Sequence, residues 1–218
     1  MTPNMPTDPD RPRFREDCHA AVAIEFAFVA PLLITMFVGG FALSRGYFAL
    51  QKIDFIAHNL AELTARITDC GDSSLNACLT AGNVKDIFDA GNVLLSPLPR
   101  ENLKVTLSEV GVLQGAGARK VETSWSIAKG GAQERPCNTA PVLPAGFTAA
   151  TAPLGAIIIA DVTYRFSPGP GFEAYSWTFT RSSYAVARNL TPAAAGSNLP
   201  NGHIRNQSGE GTTCKIEP

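Results

Sequence analysis

The sequence predicts an α+β fold in which a long N-terminal transmembrane and spine helix carries a four-stranded antiparallel sheet packed on its extramembrane half. Three observations predict it. Residues Ala21–Leu43 (AVAIEFAFVAPLLITMFVGGFAL) contain one charged side chain, Glu25, and reach the roughly 20 apolar residues that cross a hydrocarbon core about 30 Å thick. Residues Arg45–Thr68 continue without proline and with apolar residues every three or four positions, the period of a helix with one buried face. From Leu103 onward the period falls to two, in two pairs of runs separated by glycine-rich turns, as half-buried strands require.

Taken in order, residues 1–20 form a basic leader rich in Pro, Asp and Arg without apolar periodicity. Residues 21–43 form the transmembrane helix and 44–68 an amphipathic spine helix, whose expected buried face is Leu50, Ile53, Ile56, Leu60, Leu63 and Ile67. Pro31 lacks a backbone donor and is expected to kink the helix; Cys70 and Gly71 are expected to end it. Residues 69–190 form an extracytoplasmic α+β domain, and 191–218 a mobile tail. Within the domain, a short helix is expected from Val84 to Ala90, ended by Gly91. Leu103, Val105 and Leu107 alternate with polar neighbours, as do Val121, Thr123, Trp125 and Ile127, and LQGAGAR between them supplies a hairpin. Ala156–Phe166 and Tyr175–Arg188 form the second pair, separated by SPGPG. Ala156, Ile158, Ala160, Val162, Tyr164 and Phe166 share one face, and Tyr175, Trp177 and Phe179 share one in the last strand. That apolar face needs a cover, which the spine helix provides. The long connection Gly130–Gly155 is anchored by Cys137.

Composition narrows the function. A net charge of -1 gives no reason to expect a nucleic-acid partner. Of five cysteines, Cys18 precedes the membrane segment, while Cys70, Cys78, Cys137 and Cys214 follow it. Four cysteines on one side suit disulfides in an oxidising compartment. Of the three connectivities, the favoured one pairs Cys70 with Cys78 across a short polar loop and Cys137 with Cys214 at the tail. Arg11, Arg13 and Arg15 before the segment outnumber Arg45 and Lys52 after it, which favours a cytoplasmic N-terminus. No catalytic constellation is found. His19, His58 and His203 lie far apart in sequence, and no HExxH, GxSxG or phosphate loop occurs, so neither enzyme activity, metal nor cofactor is expected. An acidic side chain near the start of a membrane helix is costly unless it is interfacial, protonated or paired, which makes Glu25 the leading functional candidate.

Ala20–Phe26 (AAVAIEF), followed by AFVAPLL, resemble the processing site and N-terminal helix of the TadE/TadG family of pseudopilins from tight-adherence (Flp) pilus systems. The resemblance is specific over Ala20–Leu50. It implies cleavage of the leader by a prepilin peptidase between Ala20 and Ala21, with Ala20 standing where the family pattern has glycine. Ala21 would then carry the new α-amine, Glu25 would be the fifth mature residue and Phe26 the sixth. It further implies that the amine pairs with Glu25 of the same or a neighbouring subunit, and that Ala23, Ala27, Ala30, Gly39 and Gly40 let helices approach closely. The implied partners are the inner membrane, other pilus-assembly subunits and, if the leader is processed, the prepilin peptidase. The implied location is the bacterial inner membrane, single-pass, with the C-terminal domain periplasmic or extracellular. The alternative reading is an unprocessed, single-pass binding or sensor module of the cell envelope.

Overall fold

The computed structural model describes residues 18–67, 77–114, 119–137, 141, 143, 148, 155–169, 173–188 and 203–214. Helix α1 runs Cys18–Ala65, passing through Pro31 without interruption. It is followed by β1 (Ala77–Leu79), α2 (Ala81–Leu95), β2 (Leu103–Gln114), β3 (Arg119–Lys129), β4 (Gly155–Phe166), β5 (Trp177–Val186), β6 (Ile204–Asn206) and β7 (Thr212–Thr213). The chain divides into two compact units, residues 1–45 and 46–218.

In the second unit the four long strands form one antiparallel sheet, as the alternating pattern predicts. A fifth member, the two-residue β7, extends it in the order β5-β4-β2-β3-β7. β1 and β6 form a separate parallel pair. Neither β1, β6 nor β7 is foreseen from sequence, because each is too short to display a period. Residues 203–214, inside the stretch expected to be a mobile tail, are therefore part of the folded unit.

All six alternate residues of β4 from Ala156 to Phe166 are buried in one core. The helix face packed into that core differs from expectation. Ile53, Ile56 and Leu60 are buried, but their companions are Ala49, Ala57, Ala61, Thr64 and Ala65, whereas Leu63 is 41% exposed and Leu50 only half-buried. Small residues occupy the seam because the sheet supplies the bulk. A Cβ on Gly46 would lie 3.1 Å from the Trp177 indole, which stacks on Phe166 at 5.9 Å between ring centroids. Thr64 is tolerated there because its hydroxyl donates back to the Leu60 carbonyl at 2.8 Å.

α1 ends at Ala65, three residues short of the expected Thr68, which with Cys70 and Gly71 lies outside the described residues. The end has local causes. Arg66 and Ile67 close 3₁₀-type bonds to Leu63 and Thr64, and the backbone N–H of Arg188, just past β5, donates to the Ala65 carbonyl at 3.0 Å.

α2 is longer than the expected Val84–Ala90 at both ends. Thr80 and Asn83 form a reciprocal capping box at its start. Gly91 does not stop it; a Cβ there would touch Leu60 at 3.4 Å, so the glycine lets α2 lie close against α1. The Lys52 ammonium of α1 donates to the carbonyls of Leu94 and Ser96, supplying the cation that a helix C-terminus favours.

The expected hairpin glycines 115–117 lie outside the described residues, but the strands they join pair directly, with a bulge between Glu109 and Val110. The extra residue is Ser124 of β3, so the alternation of β3 shifts: Trp125 and Ile127 lie in the main core, whereas Val121 packs on a second, smaller core of Val110, Val112, Ile157 and Ile159 on the other face of the sheet.

Leu60 is fully buried and Leu63 is not. Leu60→Ala is expected to lower unfolding free energy by about 2–5 kcal/mol and Leu63→Ala by about 1 kcal/mol or less. Denaturant titration of the detergent-solubilised chain, followed by the fluorescence of the buried Trp125, measures both. Equal costs would mean that α1 packs by the face expected from its bulky residues.

Candidate functional site

From Val22 to Leu43, α1 presents apolar side chains to its surroundings in every direction. Val22, Ile24, Phe26, Phe28, Leu32, Leu33, Met36, Phe37, Phe41 and Leu43 are all exposed. A surface of this extent in water would be strongly unfavourable at roughly 25 cal/mol per Å². The helix is long and apolar enough to cross a membrane, with a mean hydropathy of 2.2 over its most apolar stretch and none of that stretch buried in protein. Lipid, or other helices within lipid, satisfies such a surface.

Glu25 lies in this surface. It is exposed, as is Phe26 next to it. Ala20 and Ala21 sit in the first turn of α1, in helical backbone. Gly39 and Gly40 have no heavy atom within 4 Å of where a Cβ would project, so another helix can approach their backbone closely. Toward the end of the apolar stretch, the Arg45 guanidinium lies 5.9 Å from the centre of the Phe41 ring. On the other side of Gly46, Lys52 lies 5.5 Å from the centre of the Phe48 ring. This spacing of cation and aromatic suits an aqueous boundary.

Cys137 and Cys214 are joined by a disulfide, with 5.4 Å between their Cα atoms. Cys78 is also disulfide-bonded, while Cys70 lies outside the described residues. Among the described residues, no group of three or more His, Cys, Asp or Glu side chains is placed to hold a metal ion.

Two polar clusters in the second unit escaped the reading of the sequence. Glu109 is completely buried, and its carboxylate accepts from the backbone N–H of Ile204 at 2.7 Å and contacts Nδ1 of His203. Trp125 completes the clamp, donating from Nε1 to the Ile204 carbonyl at 2.7 Å. On the opposite face of the sheet, Arg135 forms a two-pronged pair with Asp161, from Nε at 3.1 Å and from a terminal nitrogen at 2.6 Å, and Asp161 also accepts from Ser182. Arg135 belongs to the long connection between β3 and β4, whose Gln133 carbonyl accepts from Thr106 at 2.9 Å and whose Leu143 packs on the second core. Gln133, Arg135 and Leu143 of the connection therefore lie on the sheet face that α1 leaves uncovered. The sequence signal for both clusters was a lone acidic residue inside an apolar strand, Glu109 in β2 and Asp161 in β4.

Residues 20–61 match the family model described as TadE-like protein. The match begins at Ala20, contains Glu25 and reaches into the buried half of α1. No curated protein and no solved structure matches the chain.

Removing the Glu109 carboxylate strands a buried N–H and loosens residues 203–214. Glu109→Ala is expected to cost about 3 kcal/mol, and Glu109→Gln less, because its amide oxygen still accepts from Ile204. Urea midpoints of the three proteins give the order; a Gln variant as unstable as Ala would show that the charge, and not the acceptor, holds the segment.

Proposed function

We propose that this chain is a minor pseudopilin or pilus-assembly protein of a Tad (Flp-type) pilus biogenesis and secretion system. α1 anchors it in the bacterial inner membrane, with the N-terminus cytoplasmic and the α+β domain periplasmic or extracellular. Its role is structural and not catalytic. The observation that carries the reading is the TadE-like match over residues 20–61, because it covers the segment in which a single carboxylate lies within an exposed apolar surface.

The physical argument begins with that carboxylate. An ionised acid near the middle of a membrane helix costs about 2.5–3.5 kcal/mol, and near the boundary somewhat less, so an assembly gains by pairing it. A prepilin peptidase acting between Ala20 and Ala21 supplies the partner. The new α-amine is a cation of the sign that Glu25 needs, since free α-amines are ordinarily protonated at neutral pH. Paired with Glu25 of the same or an adjacent subunit, it removes two costly charges at once and sets the axial register between helices. Ala23, Ala27, Ala30, Gly39 and Gly40 then permit the close contact that packing in lipid demands. The Cys137–Cys214 disulfide supports an oxidising compartment for the domain, and Arg11, Arg13 and Arg15 support a cytoplasmic N-terminus.

Ala20, in place of the family's glycine, favours one second reading, an unprocessed membrane-anchored binding or sensor module of the envelope. The mass of the protein isolated from its native host bears on the choice: cleavage, which leaves Ala21 as the first residue and removes Cys18, supports the first reading, while an intact leader is compatible with both.

Glu25→Ala is expected to insert into the membrane as well as the wild type but to lose co-isolation with the other pilus-assembly subunits, by about tenfold or more for a loss of about 1.4 kcal/mol or more. Quantitative pull-down from detergent-solubilised membranes measures it. Unchanged co-isolation would rule out the assembly role of Glu25.

A further inference from the structure

Within the second unit, α2 and the ends of β2 and β3 enclose a cleft of about 540 Å³, inside the range of roughly 300–1,000 Å³ in which ligands are held. Its floor is apolar. Val84 and Phe88, one turn apart on α2, lie opposite Leu103 and Val105 of β2. Val84, Leu103 and Val105 belong to the main core and Phe88 packs against it, so the cleft opens directly onto core side chains. Gly130, just past β3, completes the wall. Its φ is +69°, and a Cβ there would collide with the Leu103 carbonyl oxygen, so glycine is what lets the chain turn this close to β2.

Five charged side chains line the mouth: Lys85, Asp89, Arg100, Lys129 and Glu210. Lys85 pairs with Asp89 at 2.7 Å and Lys129 with Glu210 at 2.8 Å. Both acids are thereby engaged, and one cation remains. Among the described residues, Arg100 makes no ion pair and no side-chain hydrogen bond. It stands in the 3₁₀ turn of residues 100–102, which leads into β2. Every residue from 77 to 114 is described, so no neighbour along the chain takes this guanidinium.

An unpaired guanidinium beside an apolar floor selects for one chemistry. Its fork of N–H donors matches the two oxygens of a planar carboxylate, and the floor takes an apolar group on the same ligand. A phosphate would call on a second cation, and both lysines are already engaged. The mouth suits the end of a chain better than a free small acid. Its lysine and acid pairs are substantially exposed, so a longer ligand leaves between them into water, whereas a small-molecule site buries most of its ligand.

We infer that the cleft is a docking site for the C-terminal residue of a partner protein, with the terminal carboxylate on Arg100 and the apolar side chain of that residue against Val84, Phe88, Leu103 and Val105. The Lys85–Asp89 and Lys129–Glu210 pairs flank the departing chain and offer donors and acceptors to its backbone. The inference concerns the second unit alone and is independent of the pilus reading.

The probe is an acetylated pentapeptide of glycine and serine ending in leucine, with its terminal carboxylate free, added to the full chain in detergent micelles. Backbone amide shifts in an NMR titration read both the place and the affinity of binding. The peptide is expected to shift the amides of Phe88, Leu103 and Gly130 in a saturable way. The same peptide with an amidated C-terminus, which enters the micelle at least as readily, is expected to bind about tenfold more weakly, as is a free acid ending in serine. Arg100→Gln is expected to lose about tenfold in affinity and Arg100→Lys less, both with the urea midpoint of the wild type, since Arg100 holds nothing else in place. Lys104→Gln is the control. Lys104 is exposed and alternates with Leu103 and Val105, so it lies on the opposite face of the sheet, and its loss is expected to leave binding unchanged. Equal binding of acid and amide, or shifts that avoid the cleft, would overturn the inference. So would a loss on Lys104→Gln as large as that on Arg100→Gln, which would mean diffuse charge attraction only. An amidated peptide with glutamate beside its leucine that binds as tightly as the free acid would overturn the assignment to a chain end.

Discussion

The seam between the second half of α1 and the sheet is the contact on which the rest of the fold depends. Gly46, Ala49, Ala57, Ala61 and Ala65 bring the helix backbone close to a sheet face built from Tyr164, Phe166 and Trp177, with Ile53, Ile56 and Leu60 filling the intervals. Bulk on one side and small residues on the other give close packing without overcrowding. The helix also organises its other neighbours. Leu60 receives Gly91 of α2, Lys52 caps the end of α2, and the chain leaving β5 ties to the last carbonyl of α1. One rigid helix segment thereby positions α2 and the end of the sheet, and the same helix continues into the apolar stretch that carries Glu25.

The two faces of the sheet are closed by different means. α1 and α2 cover one face through apolar burial. On the other lie residues 133–135 of the connection between β3 and β4, and there polar groups set the position: Arg135 on Asp161, Ser126 accepting from the backbone of Arg135 at 2.9 Å, and Thr106 donating to Gln133. The disulfide between Cys137 and Cys214 then ties this connection to residues 203–214, which Glu109 and Trp125 hold at their other end. A carboxylate inside a strand is tolerated because each of its oxygens has a partner; an unpaired one would cost far more than it contributes.

Periodicity was a good guide wherever one face of an element was buried and the element was long. The alternate residues of β4, the two sheet pairs and the existence of the long helix all follow from spacing. It failed where size mattered more than hydrophobicity. Leu63 reads as core and Ala61 as filler, yet Ala61 is buried and Leu63 is not, because the stripe of α1 turned into the core runs through Ala57, Ala61 and Ala65. Gly91 reads as a stop signal, yet it lies within α2 because Leu60 needs the space. Of the candidate site, the carboxylate in the apolar run was visible at once. The buried Glu109 was not, since nothing local marks Ile204, far away in sequence, as its partner.

By itself the sequence determined the membrane-length apolar helix with one acid in it, the helix period that follows, the strand alternation and the presence of cysteines enough to pair, because each is a local pattern of side-chain polarity. Only the tertiary structure decided which face of α1 is buried and that residues 203–214 are part of the fold. These depend on what lies opposite each residue across the core or the sheet, and on where backbone hydrogen-bonding groups find their partners, which no single stretch of chain contains.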